Sequence, residues 1–149
     1  MQLSIITINY NDAEGLRKTL ASVAMQTYPH IEHIIVDGGS SDNSVEVIRE
    51  YESSLASRLK WISEKDTGIY NAMNKGIRMA TSEYIQILNS GDILAAPDVT
   101  ERMMAALEVQ QAKGERLKAK GMENSKADDP SSRLSPLASK IALRFSMAT

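Results

Sequence analysis

Ile31-Glu-His-Ile-Ile-Val-Asp37-Gly-Gly-Ser-Ser-Asp42 decides the fold. Its apolar centre, Ile34-Ile35-Val36, is continuous rather than alternating, so it reads as a strand covered on both faces. The run closes in a carboxylate, then passes through two glycines to Ser41 and Asp42, residue types that cap helix amino termini. Strand, glycine turn and capped helix are the parts of a parallel β-α unit. Three further runs, at residues 3–9, 59–64 and 84–89, share this design. The four begin 25 to 28 residues apart, and each ends in a polar side chain.

A helix-period segment comes after each run. Leu16, Leu20 and Val23 form an apolar stripe after an Asn11-Asp12 pair able to cap an amino terminus. Val45, Ile48, Glu52 and Leu55 form the next, with Ser41 or Asp42 as cap and an outer face of Glu46, Arg49 and Glu50. Ile69, Met73, Ile77 and Ala80 make a third stripe, and Pro97 precedes a fourth at Val99, Met103 and Leu107. The alternation predicts an α/β fold, a Rossmann-like three-layer α/β/α sandwich on a mostly parallel open sheet with right-handed crossovers. In such sheets ligands bind beyond the carboxyl ends of the strands. Asn9, Asp37, the turn from Glu64 to Asp66, and Asn89 with Asp92 are therefore expected to line one crevice.

At 149 residues and 42% hydrophobic, the chain has the size and core of about one domain. No stretch approaches the roughly 18 apolar residues of a membrane span, and no basic region precedes the first run, so neither a span nor a signal peptide is expected. The lack of cysteine excludes disulfides and thiolate metal sites and fits a reducing compartment, so a cytoplasmic protein is expected. Charge divides the chain. Residues 1–112 carry 9 basic and 15 acidic side chains, whereas residues 113–149 carry 8 and 4.

The turn after the first strand narrows the ligand class. A dinucleotide fingerprint or a P-loop would place its glycines there, but the residues are Asn9-Tyr10-Asn11-Asp12. The glycines come after the second strand instead, where Gly38-Gly39 lets a ligand approach the backbone and the next helix offers amino-terminal N–H groups. That is a nucleotide-sized opening, or else a tight turn with a Ser/Asp cap.

Five segments in order resemble the motifs of family 2 glycosyltransferases with the GT-A fold. They are Leu3-Ser-Ile-Ile-Thr-Ile-Asn-Tyr-Asn11, Ser22-Val-Ala-Met-Gln-Thr27, Ile35-Val-Asp-Gly-Gly-Ser-Ser-Asp42, Glu64-Lys-Asp-Thr-Gly-Ile-Tyr-Asn-Ala-Met-Asn-Lys-Gly76 and Leu88-Asn-Ser-Gly-Asp92. The fourth is especially similar to bacterial enzymes of exopolysaccharide and lipopolysaccharide assembly. The resemblance implies an enzyme, an inverting transferase that moves a sugar from a UDP-, GDP- or dTDP-sugar donor to a saccharide or lipid-linked acceptor in cell-surface polysaccharide synthesis. Nucleic acid is not among the implied partners. Mg²⁺ or Mn²⁺ would bridge the diphosphate to Asp92, the one remaining carboxylate of a turn that in the family often holds two or three. Ile8, Asn9, Tyr10, Asp37 and Gly38 would face the base. The family commonly carries a second aspartate at the position of Gly38, which leaves the identity of the base open. Asp66, with Asn71, Asn74 and Lys75 on one helical face, would reach ribose, phosphate or sugar hydroxyls.

Residues 1–112 are thus expected to form the nucleotide-sugar-binding half. Residues 113–149 read as a linker and basic tail with a short helix at 137–145, whose Lys140 and Arg144 would touch an anionic membrane at the inner face. No general base is recognisable. Asp128-Asp129 lies in a polar segment, and the resemblance implies a chain truncated after the metal aspartate. The rival reading is a non-catalytic remnant that binds a sugar nucleotide or pairs with a complete transferase. A nucleotidyltransferase would want a basic glycine-rich loop at residues 9–15, which is not there. His30 and His33 are expected in surface or turn roles, and Trp61 and the methionines in packing.

Overall fold

The computed structural model describes residues 1–55 and 58–121. Strands β1 (Leu3–Asn9), β2 (Ile31–Asp37), β3 (Leu59–Ser63) and β4 (Tyr84–Ile87) alternate with helices α1 (Ala13–Ala24), α2 (Ser44–Leu55), α3 (Ile69–Met79) and α4 (Val99–Gly121). The sheet order is β3-β2-β1-β4, and every pairing is parallel. After stepping outward from β1 to β3, the chain returns past the starting strand to β4. The strand order therefore reverses between β1 and β4, the place where an open sheet leaves a crevice at its carboxyl edge.

Strand alternation sorts the core into two layers. Ile6, Ile34, Val36 and Ile85 face α3 through Ala72, with Ile77 and Met79 packed alongside. The opposite face meets three helices. Leu3, Ile5 and Leu88 pack with Val23 of α1 and Met104 of α4, while Ile35 packs with Leu16 and Leu20 of α1 and Val47 and Ile48 of α2. Trp61 packs against this second group, as expected. Helix α3 lies close to the sheet. A Cβ on Gly76 would stand 2.4 Å from Cγ2 of Ile6.

Four expectations need correction. Helix α2 buries Ser44, Val47 and Ile48 with Tyr51 half-buried, while Glu52 is exposed. The helix is turned so that Val47 and Ile48 meet α1, and a carboxylate has no place in that contact. In α3 the buried line is Ala72 and Gly76, and Ile69 is 50% exposed. His33 is buried rather than superficial. Its Nε2 lies 2.8 Å from Thr7 Oγ1 and its Nδ1 3.2 Å from the Tyr51 hydroxyl, and burial pushes its pKa down to about 3. His30 is exposed. Finally, α4 continues past Lys113 to Gly121, because the stretch lacks proline and β-branched residues and is rich in helix formers. The rest of the expected tail, including 137–145 and Asp128-Asp129, lies outside the described residues.

Candidate functional site

The carboxyl ends of the strands are tied by a network of hydrogen bonds. Asn9 Nδ2 donates to Asp37 Oδ1 at 2.8 Å, and Asn9 Oδ1 accepts from Ser90 Oγ at 2.7 Å. These two bonds join β2, β1 and the segment after β4. Asp37 also accepts from the Ser40 amide at 2.9 Å, the Ser40 hydroxyl at 2.6 Å and Ser63 Oγ at 2.6 Å. Burial pushes the Asp37 pKa up, but the donors from Ser40, Ser63 and Asn9 outweigh it and hold the carboxyl below its usual value. Asp37 is fully buried, so its charge serves the strand ends.

In front of this network opens a cavity of about 730 Å³, within the range of small-ligand sites. Five of the expected donor residues line it: Ile8, Asn9, Tyr10, Gly38 and Asp66. Gly38 donates its amide to Asn9 O at 2.9 Å, and Gly39 has φ +76, a left-handed conformation that glycine adopts freely. Asn11 also has a positive φ of 48, and its side-chain oxygen accepts from the Ser41 amide at 2.8 Å, which fixes the two turns side by side.

The expected cluster on α3 is divided by the structure. Asn71, Asn74 and Lys75 do not line the cavity. Instead Lys75 reaches back to Asp66 at 2.5 Å and Glu64 at 2.8 Å, and the side chains of Lys75 and Asp66 are only 14% and 12% exposed. The Lys75 pKa is raised by Asp66 first and Glu64 second, so the ammonium persists. Asn71 Oδ1 accepts from the Thr67 amide at 3.5 Å, and Asn74 is exposed.

The lining residues that escape the sequence reading include Asp12, Ser90 and Ile69. Asp12 is also the α1 cap, accepting from the Gly15 amide at 3.0 Å, so its role as a cap hid its place at the cavity. Ile69 comes directly after Gly68 at the first turn of α3, too early in the helix to reach the sheet.

The turn carrying Asp92 is held by α1. Thr19 Oγ1 donates to Asp92 O at 2.7 Å and accepts from the Gly91 amide at 3.0 Å. Ser22 Oγ accepts from the Leu94 amide at 3.2 Å, and Gln26 binds both Ala96 O at 2.9 Å and the Thr100 amide at 3.0 Å. Two polar residues of α1 and Gln26, just past its end, thus hold the chain from Gly91 to Thr100. Their spacing, i, i+3 and i+7 on an otherwise apolar side, is the signal that could have revealed them. Asp92 itself is exposed and does not line the cavity, whereas Asn89 does, and its buried Oδ1 has no donor among the described residues. Among the described residues, no three His, Asp or Glu side chains gather to hold an ion, and no helix is long and apolar enough to cross a membrane.

The sequence and the fold have counterparts among known proteins. An uncharacterized glycosyltransferase of Mycobacterium tuberculosis is 42% identical over 106 residues, 70% of this chain and 39% of that protein. A PGL/p-HBAD biosynthesis glycosyltransferase of Mycobacterium bovis is 35% identical over 102 residues, 68% of this chain and 40% of that protein. The chain thus matches about two-fifths of the length of these relatives. Among solved structures, a mannosyltransferase from Pyrobaculum calidifontis in complex with GDP-Man and Mn²⁺ superposes with a TM-score of 0.61 at 25% identity, covering 64% of this chain and 29% of that one. S. aureus TarS in complex with UDP-GlcNAc gives 0.60 at 23% identity, covering 74% and 32%. The fold is that of the GT-A glycosyltransferases. Residues 4–144 match the family model described as glycosyl transferase family 2, and the chain belongs to that family.

Proposed function

We propose that this chain forms the donor half of a glycosyltransferase that transfers a sugar, with inversion, from a nucleoside-diphosphate sugar to a saccharide or lipid-linked acceptor. The observation that carries the reading is the cavity at the carboxyl edge, where Tyr10, Gly38, Asp66 and Ser90 arrive from four separate strand ends. The nucleoside would lie along Ile8, Tyr10, Gly38 and Asp66, and the diphosphate would point toward Asn89 and Asp92. An acceptor hydroxyl would form the new bond at the anomeric carbon as the bond to the diphosphate breaks. The base that takes its proton is unassigned in this chain. The reading places the reaction in the cytoplasm, at the inner face of the membrane, in cell-surface polysaccharide synthesis.

Mg²⁺ or Mn²⁺ belongs to this reading. The donor set suits such an ion: Asp92 supplies a carboxylate, and Asn89 Oδ1 is a hard oxygen with no donor among the described residues. Two protein oxygens do not enclose an ion, so diphosphate and water would complete the shell. When bound, the ion would offset the charge of the departing diphosphate.

The polypeptide supplies the rest. The Asn9–Asp37 network fixes the strand ends, α1 fixes the Asp92 turn, and Lys75 fixes Asp66. The test is an NMR titration of labelled chain with UDP, GDP and dTDP. Amide shifts concentrated at Tyr10, Gly38, Gly39 and Ser90 are expected; shifts confined to the α1–α2 surface would refute the reading.

A further inference from the structure

The Asp66 carboxylate has two differently engaged oxygens. Oδ1 accepts from the Lys75 ammonium at 2.5 Å, and Lys75 is held from its other side by Glu64. Oδ2 has no donor among the described residues. It lies 3.1 Å from the point where a Cβ on Gly38 would stand, and that same point is 3.3 Å from Cδ2 of Tyr10. The missing side chain at Gly38 therefore leaves a gap bounded by an anionic oxygen and an aromatic ring.

The walls suit a flat heterocycle. Tyr10 is 66% exposed and Ile69 50% exposed, and both line the cavity with Ile8 and Ala72. Aromatic and apolar surface of this kind accepts the faces of a ring. The edge of the ring is then what Asp66 meets. An ionised carboxylate only accepts hydrogen bonds, so it favours a ring that presents an N–H and repels one that presents a lone pair.

We infer that Asp66 Oδ2 reads the base of the donor nucleotide and selects the imide N–H of uracil or thymine over cytosine. The inference rests on the donor-site reading and deepens it. Cytosine has an acceptor where uracil has its imide N–H, so it would set lone pair against lone pair. Guanine presents two adjacent donors, N1–H and the 2-amino group. A carboxylate would meet both with two oxygens, and Lys75 already holds Oδ1. Asp66 is on this account a specificity-determining residue, and Lys75 the residue that positions it.

Calorimetric titration of the 149-residue chain with UDP, dTDP, CDP and GDP tests the assignment. UDP and dTDP are expected to bind at least about tenfold tighter than CDP and GDP, the size of a hydrogen bond to a charged group. Asp66→Ala should remove that preference by weakening UDP and dTDP while leaving CDP within about twofold. Because Ala also frees Lys75, Gly38→Ala supplies a second arm with the ion pair intact. Its methyl fills the gap, and UDP should weaken by about tenfold or more while the melting temperature holds. A uracil preference that survives Asp66→Ala, UDP binding unaffected by Gly38→Ala, or tighter binding of GDP or CDP would each overturn the inference and leave the donor site standing. Failure of the wild-type chain to bind any of the four would overturn both.

Discussion

Asn9 Nδ2 donates to Asp37 Oδ1 at 2.8 Å across the two central strands, with both residues buried at their carboxyl ends. The bond fixes the register of the edge from which every proposed donor contact projects. Asp37 collects donors from Asn9, Ser40 and Ser63, so replacing it with asparagine would turn an amide N–H toward at least one of them. Asp37→Asn should cost about 2–3 kcal/mol of stability, read as a lower urea midpoint with unchanged slope. The carboxyl is held below its ordinary value of 3.8, so its contribution is present above that pH and is lost as pH falls through the folded pKa. Below pH 3.8 the variant's stability should therefore decline less steeply than the wild type's; parallel curves would show that the carboxylate is not the acid-sensitive group.

His33 gives a separate acid response at higher pH. It is buried and neutral in the fold, with its pKa lowered by burial from 6.5 to about 3. An unfolded chain takes up a proton below 6.5 that the native chain refuses, so stability is complete above 6.5 and falls as pH drops toward 3. His33→Gln should start less stable at pH 7 but lose less between pH 6.5 and pH 4. A wild-type melting temperature that stays level across that interval would count against a buried neutral imidazole.

Thr19 should act on the Asp92 turn through its hydroxyl alone. Thr19→Val keeps the shape but leaves the Gly91 amide and the Asp92 carbonyl without their partner. A loss of about 1–3 kcal/mol is expected, together with faster hydrogen exchange at Gly91, and Thr19→Ser should restore most of both. Unchanged exchange at Gly91 in the valine variant would remove α1 from the account of that turn.

Gly76 tests how closely α3 lies on the sheet. Alanine should help the helix by about 1 kcal/mol on propensity, yet its Cβ would stand 2.4 Å from Ile6 Cγ2. Overpacking costs about 1–3 kcal/mol, so Gly76→Ala should be destabilising on balance and less so in an Ile6→Ala background. A gain in stability for the single variant would mean that α3 shifts away freely.

The fold was legible because runs such as Ile34-Ile35-Val36 can be satisfied only between two helix layers, and because a polar residue at each run's end marks the edge. The helix faces were less legible. In α2, Val45 and Val47 are equally apolar, and only packing against α1 decides that Val47 is buried. The site was legible by position but not by contact. Asp37 and Asp66 are both aspartates near strand ends, yet four hydroxyl and amide donors from Asn9, Ser40 and Ser63 surround the first, while Lys75 leaves one oxygen of the second toward the cavity. Ser40 lies in the same turn as Asp37, but Asn9 and Ser63 come from other strands, and one-dimensional spacing carries no trace of those partners.

The most direct measurement is calorimetric binding of UDP with and without Mn²⁺, in the wild type and in Asp92→Ala. The account predicts that Mn²⁺ tightens wild-type binding by about tenfold or more, and that Asp92→Ala abolishes this gain while keeping the metal-free affinity. The same Mn²⁺ gain in Asp92→Ala, or no UDP binding under either condition, would contradict it.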